Sequence, residues 1–416
     1  MCFGIGRLPV IKRIEITNFK SLHRVAIDLS PVSVFLGPNA AGKSNIIRAL
    51  QFFRELVLSR DIETALEKQG GAREIRTKTV KKTPNVRLSI EMDLAEPRQF
   101  HERSTLLKWA KYTIDFTCYV DRSQRVNQEE LLTKTGTERH QSMIFRREAD
   151  RVQLGRWPPD LFGEKGKTAH LPLPKGLQST PFLSMVFPHF EPATLGVYEY
   201  VKRMRFYDID ARKARRSSDS ESLRELNEDC SNLSAILLQL RKTKSASGGD
   251  RGLVAGFTDF MRTSVPEFED FHAKKLGRGG KAQVTFSVKE TSGAWFSPHS
   301  LSDGTIRLMC FFLALMYRRS PAPIICFEEP ENCVHPYLIS RMMDLVKIQP
   351  HGSQILITTH SKAIADAFGP ENVFLVSKKE GDTLIKRADE DKEVRQFCQH
   401  YGMGEAWIRG LIGAVP

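Results

Sequence analysis

The most constraining feature of this sequence is a glycine-rich segment between a short apolar run and an amphipathic stretch. Residues 32–36 (V-S-V-F-L) are typical of a buried strand, and residues 44–58 carry apolar side chains at helical spacing. Between them the chain reads G-P-N-A-A-G-K-S, which fits G-x-x-x-x-G-K-[ST]. Glycines let consecutive backbone N–H groups face one phosphate, and the following helix adds its N-terminal dipole. We predict a strand, a phosphate loop and a helix.

The pattern assigns a role to each part of this loop. Lys43 is expected to reach the β- and γ-phosphates of ATP, and the Ser44 hydroxyl is expected to bind Mg²⁺. The alternative is a glycine turn that arose by chance. The predicted nucleotide-binding residues of this segment are Gly37, Pro38, Asn39, Ala40, Ala41, Gly42, Lys43, Ser44 and Asn45.

A second apolar run, residues 323–332 (P-I-I-C-F-E-E-P-E-N), ends in acids. Open α/β sheets build their sites where a buried strand delivers side chains at its carboxyl end. We predict that Glu328 holds Mg²⁺ and that Glu329 polarises the attacking water. Two adjacent carboxylates repel each other, so a cation or a shared proton is expected beside them. A solvated acidic turn is the alternative.

Two further segments follow the same logic. Residues 301–305 (L-S-D-G-T) precede an apolar helix, where Ser302 and Gly304 would suit a phosphate at the helix N-terminus. Residues 355–361 (I-L-I-T-T-H-S) read as a strand ending at His360, whose imidazole would contact the γ-phosphate as a second catalytic residue. Taken alone, the first segment is also consistent with an ordinary helix cap. His360 taken alone is also consistent with a structural role.

The chain has an excess of basic residues. It has 416 residues, with 62 Lys plus Arg against 49 Asp plus Glu, so its formal charge is +13 and its pI is about 9.4. Such a balance suits an anionic polymer or an acidic partner. Two basic runs are candidate DNA contacts, namely Arg73, Arg76, Lys78, Lys81 and Lys82, and separately Arg212, Lys213, Arg215 and Arg216. For each run, a solvated loop is the alternative.

Cysteine usage and hydropathy restrict the class of protein further. Seven cysteines without a C-x-x-C pair argue against a disulfide framework and a zinc site, and favour a reducing compartment. No run of about 18 apolar residues occurs, so we expect no membrane span. The N-terminus is too interrupted for a signal peptide, and we predict a cytoplasmic protein.

The middle of the chain has weaker signals. Residues 125–185 are polar and turn-rich, and we predict one strand there, near 143–145. Residues 186–245 are expected to be mainly helical, with a mobile basic loop at 212–220 and a linker at 242–250. No sustained heptad pattern occurs, which excludes a long coiled-coil arm.

Taken in their order, the four segments resemble an ABC-type P-loop ATPase. The closest resemblance is to the RecF, structural-maintenance-of-chromosomes and OLD-like group of predicted ATPases, which carry F-x-E-E-P-E-N-x-x-H-P and I-x-T-T-H-S. Here residues 327–336 read F-E-E-P-E-N-C-V-H-P and residues 357–361 read I-T-T-H-S, each without the spacer residue x before the acids or the threonines. N-F-K-S at 18–21 matches the group's opening strand. Shorter similarities lie at 206–208, 231–233 and 404–410. In contrast, Glu328 replaces the Asp of transporter ATPases, and Asp303 replaces a Gly found in many relatives.

This resemblance implies an α/β fold, namely an ABC-type ATPase head with a mixed helical and strand insertion. Residues 1–100 would form the N-terminal lobe with the phosphate loop, and 285–385 the C-terminal lobe with the signature, the acidic strand and the His loop. Residues 101–284 would be the insertion, mainly helical in its second half, and 386–416 a tail packing on the head. About 55 residues follow His360, too few for the Toprim nuclease domain of OLD proteins.

The resemblance also implies a head-to-tail dimer around ATP, or a higher homo-oligomer. Ser302 and Gly304 would then act in trans on the partner's nucleotide. Asn332, Val334 and His335 would lie in the dimer-communicating loop, and Lys20 would approach the nucleotide from the N-terminal strand.

Three functions follow from the resemblance. The first is a slow ATPase that controls a separately encoded effector, a nuclease, as in anti-phage systems of the Septu and PARIS type. The second is a RecF-like repair ATPase that binds nucleic acid. The third is an ATP-bound scaffold with negligible hydrolysis that sequesters a partner. A transporter subunit is rejected, because the signature is not L-S-G-G-Q and the middle region is too long.

Overall fold

A computed structural model describes residues 10–410 of the chain. Outside the described residues lie 1–9, 411–416 and the internal positions 60, 80–84, 95–106, 121–123, 136–140, 156–168, 175, 187–191, 220–224, 244–249, 278–281, 318–321 and 350–351.

The described strands are, in chain order, β1 Val10–Phe19, β2 Leu22–Asp28, β3 Val32–Leu36, β4 Asn85–Asp93, β5 Leu107–Thr117, β6 Arg125–Thr135, β7 Ser142–Glu148, β8 Arg151–Leu154, β9 Ala169–Pro172, β10 Arg205–Tyr207, β11 Ser218–Asp219, β12 Phe268–Leu276, β13 Gln283–Glu290, β14 Trp295–Phe296, β15 Ile324–Glu328, β16 Gln354–Thr359, β17 Val373–Lys379 and β18 Asp382–Arg387.

The described α-helices are, in chain order, α1 Lys43–Leu58, α2 Ile62–Glu67, α3 Ala72–Ile75, α4 Phe182–Val186, α5 Pro192–Lys202, α6 Ala211–Ala214, α7 Leu233–Thr243, α8 Asp250–Ser264, α9 Asp303–Met316, α10 Pro336–Ile348, α11 Lys362–Asp366, α12 Lys392–Tyr401 and α13 Met403–Ile408. In the part of the chain that these elements cover, no helix has the length and apolar character to cross a membrane.

A six-stranded sheet has the strand order β10-β15-β16-β3-β17-β18 and carries the phosphate-loop strand β3. All of its neighbouring pairs are parallel except β17 with β18. Strands β3, β15 and β16 are almost wholly buried, as expected for a parallel sheet covered on both faces. The strand predicted at 32–36 and the helix predicted after it are therefore both present.

An eight-stranded antiparallel sheet lies beside the six-stranded sheet, with the order β2-β1-β4-β5-β6-β7-β8-β9. Helix α1 packs against it through aromatic contacts: the ring centroids of Phe19 and Phe52 lie 5.6 Å apart, and those of Phe53 and Tyr112 also 5.6 Å. One continuous apolar core includes α1, this sheet and β15 and β16. The helix that begins at the phosphate loop is thus fixed from both sides.

The strand predicted near 143–145 is present as β7, but the expectation of a single strand within residues 125–185 is wrong, because β6, β8 and β9 also lie there. Two inward positions of this part of the sheet are charged and fully buried, namely Glu129 on β6 and Arg147 on β7. Inward charges disrupt the alternation of apolar and polar residues by which a strand is recognised. Strand β4 lies in the predicted N-terminal lobe (1–100) and pairs with β5, which lies in the predicted insertion (101–284). The division into head and insertion stays a prediction.

The mobile loop predicted at 212–220 is also wrong in its first part. Residues 211–214 form the short helix α6, whose first N–H groups are capped by the Asp210 side chain. Ala211 and Ala214 are buried against the rest of the head. Residues 218–219 pair with β13 as β11. Residues 220 and 244–249, the latter within the predicted linker, lie outside the described part.

A third sheet, of β11, β13 and β12 with β14 also paired to β13, carries α7 and α8. Phe257 of α8 contacts both Phe271 of β12 and Phe312 of α9, with ring centroids 5.0 and 5.4 Å apart. At the C-terminus, Gly404 N donates to the Asp366 carboxylate at 2.6 Å, so α13 is held against α11.

A buried network ties the antiparallel sheet to the start of α4. The Glu129 carboxylate accepts hydrogen bonds from the Tyr112 hydroxyl and from two α4 backbone N–H groups. The Arg147 guanidinium donates to four backbone carbonyls and lies 4.0 Å from Glu129. Burial raises the pKa of Glu129, and these hydrogen bonds and Arg147 oppose that rise. The network is buried but well supplied with partners.

We expect Arg147→Met to lower the free energy of unfolding by about 3–5 kcal/mol, because it leaves the Glu129 carboxylate buried without its cation and removes four hydrogen bonds. Arg146→Met is the matched control: its side chain is 43% exposed and paired with Glu130, so the change should cost at most about 1 kcal/mol. Urea denaturation followed by circular dichroism measures both. Equal losses in the two variants would contradict this account.

Candidate functional site

The register of the central sheet brings three loops to one edge. Glu328 pairs with Thr358 across β15 and β16, and Thr359 pairs with Leu36 across β16 and β3. Because these strands are parallel, the chain segments that follow their carboxyl ends lie side by side. The phosphate loop, the acidic turn after β15 and the His turn after β16 therefore meet at one place.

The phosphate loop has the conformation that its glycines predict. A Cβ added at Gly37 would lie 2.1 Å from the Val376 carbonyl oxygen, so only glycine fits there. Gly42 has φ 103° and directly precedes α1 at Lys43. Asn39 and Ala40 are exposed at the loop's tip, where Ala40 has φ 62°. Such backbone turns leave N–H groups free to face an anion.

Lys43 folds back over this loop. Its Nζ donates to the Gly37 and Pro38 carbonyl oxygens, both at 2.9 Å, and lies 3.6 Å from Glu329 Oε1. The side chain is 3% exposed. Burial lowers the pKa of Lys43, and the carboxylates of Glu329 and Glu331 oppose that change. The ammonium group therefore sits between the loop and the acidic turn.

Glu329 lies at the centre of the converging groups. Its Oε1 is 3.6 Å from both Lys43 Nζ and His360 Nδ1, and its Oε2 accepts from Asn332 Nδ2 at 3.1 Å. Its backbone has φ 42°, and its N–H donates to the Thr358 carbonyl at 3.0 Å. A glutamate in the left-handed backbone region is strained, and the surrounding contacts must stabilise it in this conformation. Such strained residues are concentrated at functional sites.

Glu331 belongs to the quoted acidic motif, but no role is predicted for it from the sequence. It is 6% exposed, and its Oε1 accepts from the Thr359 hydroxyl at 2.5 Å and from the His360 N–H at 3.0 Å. The same oxygen lies 3.6 Å from His360 Nδ1. Burial raises the pKa of Glu331, and these hydrogen bonds oppose the rise. Glu331 thus joins the acidic turn to the His turn.

The predicted signature residues lie at the start of α9. The Ser302 hydroxyl caps the helix by accepting from Thr305 N at 3.0 Å, and Ser302 itself is exposed. A Cβ at Gly304 would lie 3.2 Å from the Cys333 carbonyl, so the signature packs tightly on the turn after the acids. In the described residues, no recorded hydrogen bond joins Ser302 or Gly304 to the phosphate loop of the same chain.

A chain of side-chain hydrogen bonds ties the phosphate loop to two distant hairpins. Asn45 Nδ2 donates to Ser21 Oγ at 2.7 Å, the Ser21 and Thr383 hydroxyls lie 2.6 Å apart, and Thr383 Oγ1 donates to the Ala41 carbonyl at 2.9 Å. Ser21 follows β1, and Thr383 is on β18. No sequence signal points to Thr383, because it lies more than 300 residues from the loop that it supports.

The predicted magnesium ligands Ser44 and Glu328 are both half-buried at this edge. A hydroxyl and a carboxylate oxygen are ligands that Mg²⁺ accepts together with phosphate oxygens and water. No group of three or more His, Cys, Asp or Glu side chains in the described residues could hold a metal without the nucleotide. The two residues therefore fit a cation that arrives with a triphosphate.

Lys20 lies near the loop but points elsewhere. Its Nζ donates to the Glu74 carbonyl at 2.9 Å, and burial followed by the nearby Arg48 lowers its pKa. Arg73 and Lys78 are exposed close by, whereas Arg76 is half-buried. The candidate DNA contacts Lys81 and Lys82 lie outside the described residues.

Comparison with known proteins agrees with this geometry. A model of the AAA ATPase domain family matches residues 10–114. A second family model matches residues 196–366; its description names an AAA domain, a proposed AbiEii toxin and a type IV toxin–antitoxin system.

Two curated relatives are DNA replication and repair proteins RecF. The one from Acidothermus cellulolyticus is 39% identical over 70 residues, or 16% of this chain and 18% of that protein. The one from Lactococcus lactis subsp. lactis is 38% identical over 60 residues, or 14% of this chain and 16% of that protein. The chain therefore matches less than a fifth of the length of these relatives.

Among solved structures, an SMC head bound to the C-winged helix domain of ScpA has a TM-score of 0.50 at 13% identity, covering 92% of this chain and 99% of that chain. This likeness shows the fold, and it confirms the predicted α/β ATPase head. Fold, site and family matches define the chain as a P-loop ATPase of the ABC type. Within that class, the similarities found are to a short stretch of RecF and to the fold of an SMC head.

We expect Thr383→Val to weaken ATP binding about 2- to 10-fold, because it removes the hydrogen bond to the Ala41 carbonyl while keeping the shape of the side chain. Thr79→Val is the matched control: it removes a bond to Asp382 on the same hairpin but does not touch the phosphate loop. Fluorescence titration with a labelled ATP analogue measures both. Equal affinities in Thr383→Val and wild type would remove Thr383 from the support of the loop.

Proposed function

We propose that this protein hydrolyses ATP with Glu329 as the residue that polarises the attacking water. The observation that carries the proposal is the position of the Glu329 carboxylate, 3.6 Å from both Lys43 Nζ and His360 Nδ1. A carboxylate between a phosphate-binding lysine and a histidine, at the edge where a phosphate loop opens, is suited to orient water beside a γ-phosphate.

Each surrounding group has a defined task in this proposal. Lys43 exchanges its two loop carbonyl partners for β- and γ-phosphate oxygens, while backbone N–H groups of the phosphate loop cradle the phosphates. Ser44 and Glu328 hold the Mg²⁺ that neutralises phosphate charge. His360 contacts the γ-phosphate, and the Glu331 carboxylate holds the His360 backbone in place by accepting a hydrogen bond from the His360 N–H.

The proposal includes a second copy of the chain. Ser302 is exposed at the N-terminus of α9, and Gly304 leaves no side chain beside it. A helix N-terminus that carries an exposed serine suits the phosphates of another copy's ATP. Head-to-tail pairing would complete both sites, with Asn332, Val334 and His335 at the contact between them.

We expect wild type to turn over ATP slowly, and Glu329→Gln to lose at least about 10²-fold in rate while its ATP-bound dimer accumulates, since the amide cannot polarise water. Phosphate release and light scattering measure rate and mass. Glu393→Gln, an exposed glutamate on α12, is the control and should match wild type.

Two other outcomes lead to different conclusions. Equal rates in wild type and Glu329→Gln would remove Glu329 from this role. If neither protein hydrolyses ATP but both bind it, the protein is the ATP-bound scaffold. Duplex DNA added to the same assay tests the RecF-like alternative, which the exposed Arg48, Arg73 and Lys78 near Lys20 favour. Binding that weakens steeply between about 50 and 200 mM salt would support it.

We further propose that the ATP-bound dimer controls a separately encoded effector, a nuclease of an anti-phage system. The toxin–antitoxin description of one matching family supports a two-component arrangement. We expect Glu329→Gln with ATP to retain a co-expressed nuclease effector, and Lys43→Ala to retain less of it, because only the first variant holds the ATP state. Identical retention by both variants would contradict control by nucleotide.

A further inference from the structure

Arg215, in the basic run after β10, makes its contacts within the protein. Its Nε donates to the Pro298 carbonyl at 3.0 Å, one terminal nitrogen donates to the Leu301 carbonyl at 2.5 Å, and the other pairs with the Asp303 carboxylate. The side chain is 12% exposed. All three nitrogens of the guanidinium are therefore used to hold residues 298–303, the loop that ends at the signature.

This grip is specific to arginine geometry. The planar guanidinium presents its donors in a fixed fork, so three acceptors on one loop are held at defined positions relative to each other. Ser302 lies between two of the held residues, Leu301 and Asp303, and Gly304 follows directly. Fixing the loop therefore fixes where the Ser302 hydroxyl and the start of α9 point.

The neighbours of Arg215 behave differently. Arg212 and Arg216 are exposed, and Lys213 forms an ion pair with Asp229 at 3.1 Å. A residue that bound nucleic acid through its charge would be exposed like Arg212 and Arg216. Arg215 is instead committed to the signature loop, which argues against the predicted DNA contact at this position.

The helix that ends just before Arg215 is linked to the strand that ends at Glu328. Helix α6 follows β10, which pairs with β15, and Tyr207 stacks on Phe327 with ring centroids 5.5 Å apart. Phe327 also contacts Phe311 of α9 at 4.5 Å and directly precedes Glu328. Strand, signature helix and Arg215 thus form one packed unit, so the face presented to a second copy is built on the strand that ends at Glu328.

We propose that Arg215 is a positioning residue that sets the signature loop for the ATP held by a second copy of this chain. The inference rests on the proposed head-to-tail dimer. Arg215 does not touch the nucleotide; it acts through Ser302 and Gly304. Its loss should therefore impair dimerisation and turnover, and leave ATP binding by the isolated subunit unchanged.

The first test uses the Glu329→Gln background, where hydrolysis does not intervene. We expect Arg215→Ala to weaken ATP-dependent dimerisation roughly tenfold or more, since it removes an ion pair and two further hydrogen bonds from the loop. Arg215→Lys should recover part of the loss because it keeps the charge and one donor. Arg24→Ala, an exposed arginine on β2, removes an equal charge and should have no effect. Analytical ultracentrifugation gives the dimer constants, and titration with labelled ATP checks that subunit affinity and folding persist.

The second test mixes inactive subunits. Arg215→Ala and Lys43→Ala should together recover about a quarter of wild-type hydrolysis, because about half of the dimers are mixed and each mixed dimer has one intact site. Ser302→Arg mixed with Lys43→Ala tests the dimer itself. If that mixture stays inactive, the head-to-tail proposal fails. If it recovers while Arg215→Ala with Lys43→Ala does not, the role of Arg215 is wrong and the dimer stands.

Dimerisation by Arg215→Ala equal to that of Arg24→Ala would also overturn the inference. Should Arg215→Ala unfold, Arg215→Lys decides: dimerisation as strong as with arginine would show that the fork geometry is not needed.

Discussion

The site depends on the parallel pairing of β16 with both β15 and β3. Each strand ends at the same edge of the sheet, so the parallel pairing itself brings together the side chains that follow these strands. Lys43 and Glu329 then lie 3.6 Å apart although nearly 300 residues separate them in sequence. The register also places Glu329 N–H on the Thr358 carbonyl, which holds the strained turn in place.

Much of this centre was predictable, because the required conformations are local. A loop that curls around phosphate needs glycines at particular steps, and Gly37 and Gly42 have neighbours or dihedral angles that exclude larger residues. The buried strand before Glu328 is recognisable by its uninterrupted run of apolar residues. These features can be recognised in a single sequence because the residues that each conformation requires are adjacent in the chain.

The remaining contacts were not predictable for the opposite reason. Thr383 donates to the Ala41 carbonyl from a hairpin that is distant in sequence. The residues next to Thr383 in the chain give no sign of this role. Arg215 lies in a run of basic residues, so its charge suggested an external partner while its actual acceptors are carbonyls of residues 298 and 301 and a carboxylate. Of the strands at 125–172, only β7 was predicted; in β6 the inward Glu129 is charged, which disrupts the alternation that marks a strand.

The same contacts explain how one subunit could bear on the site of another. Phe327 lies between Tyr207 and Phe311, so a shift of the strand that ends at Glu328 must be shared by β10 and α9. Packed cores respond to such shifts as units rather than by continuous deformation. Arg215 adds a polar connection at the far end of that unit, where α9 begins. In the proposed function, nucleotide bound beside the end of β15 would therefore influence the signature loop through hydrogen-bonded and packed neighbours, without direct contact between the two.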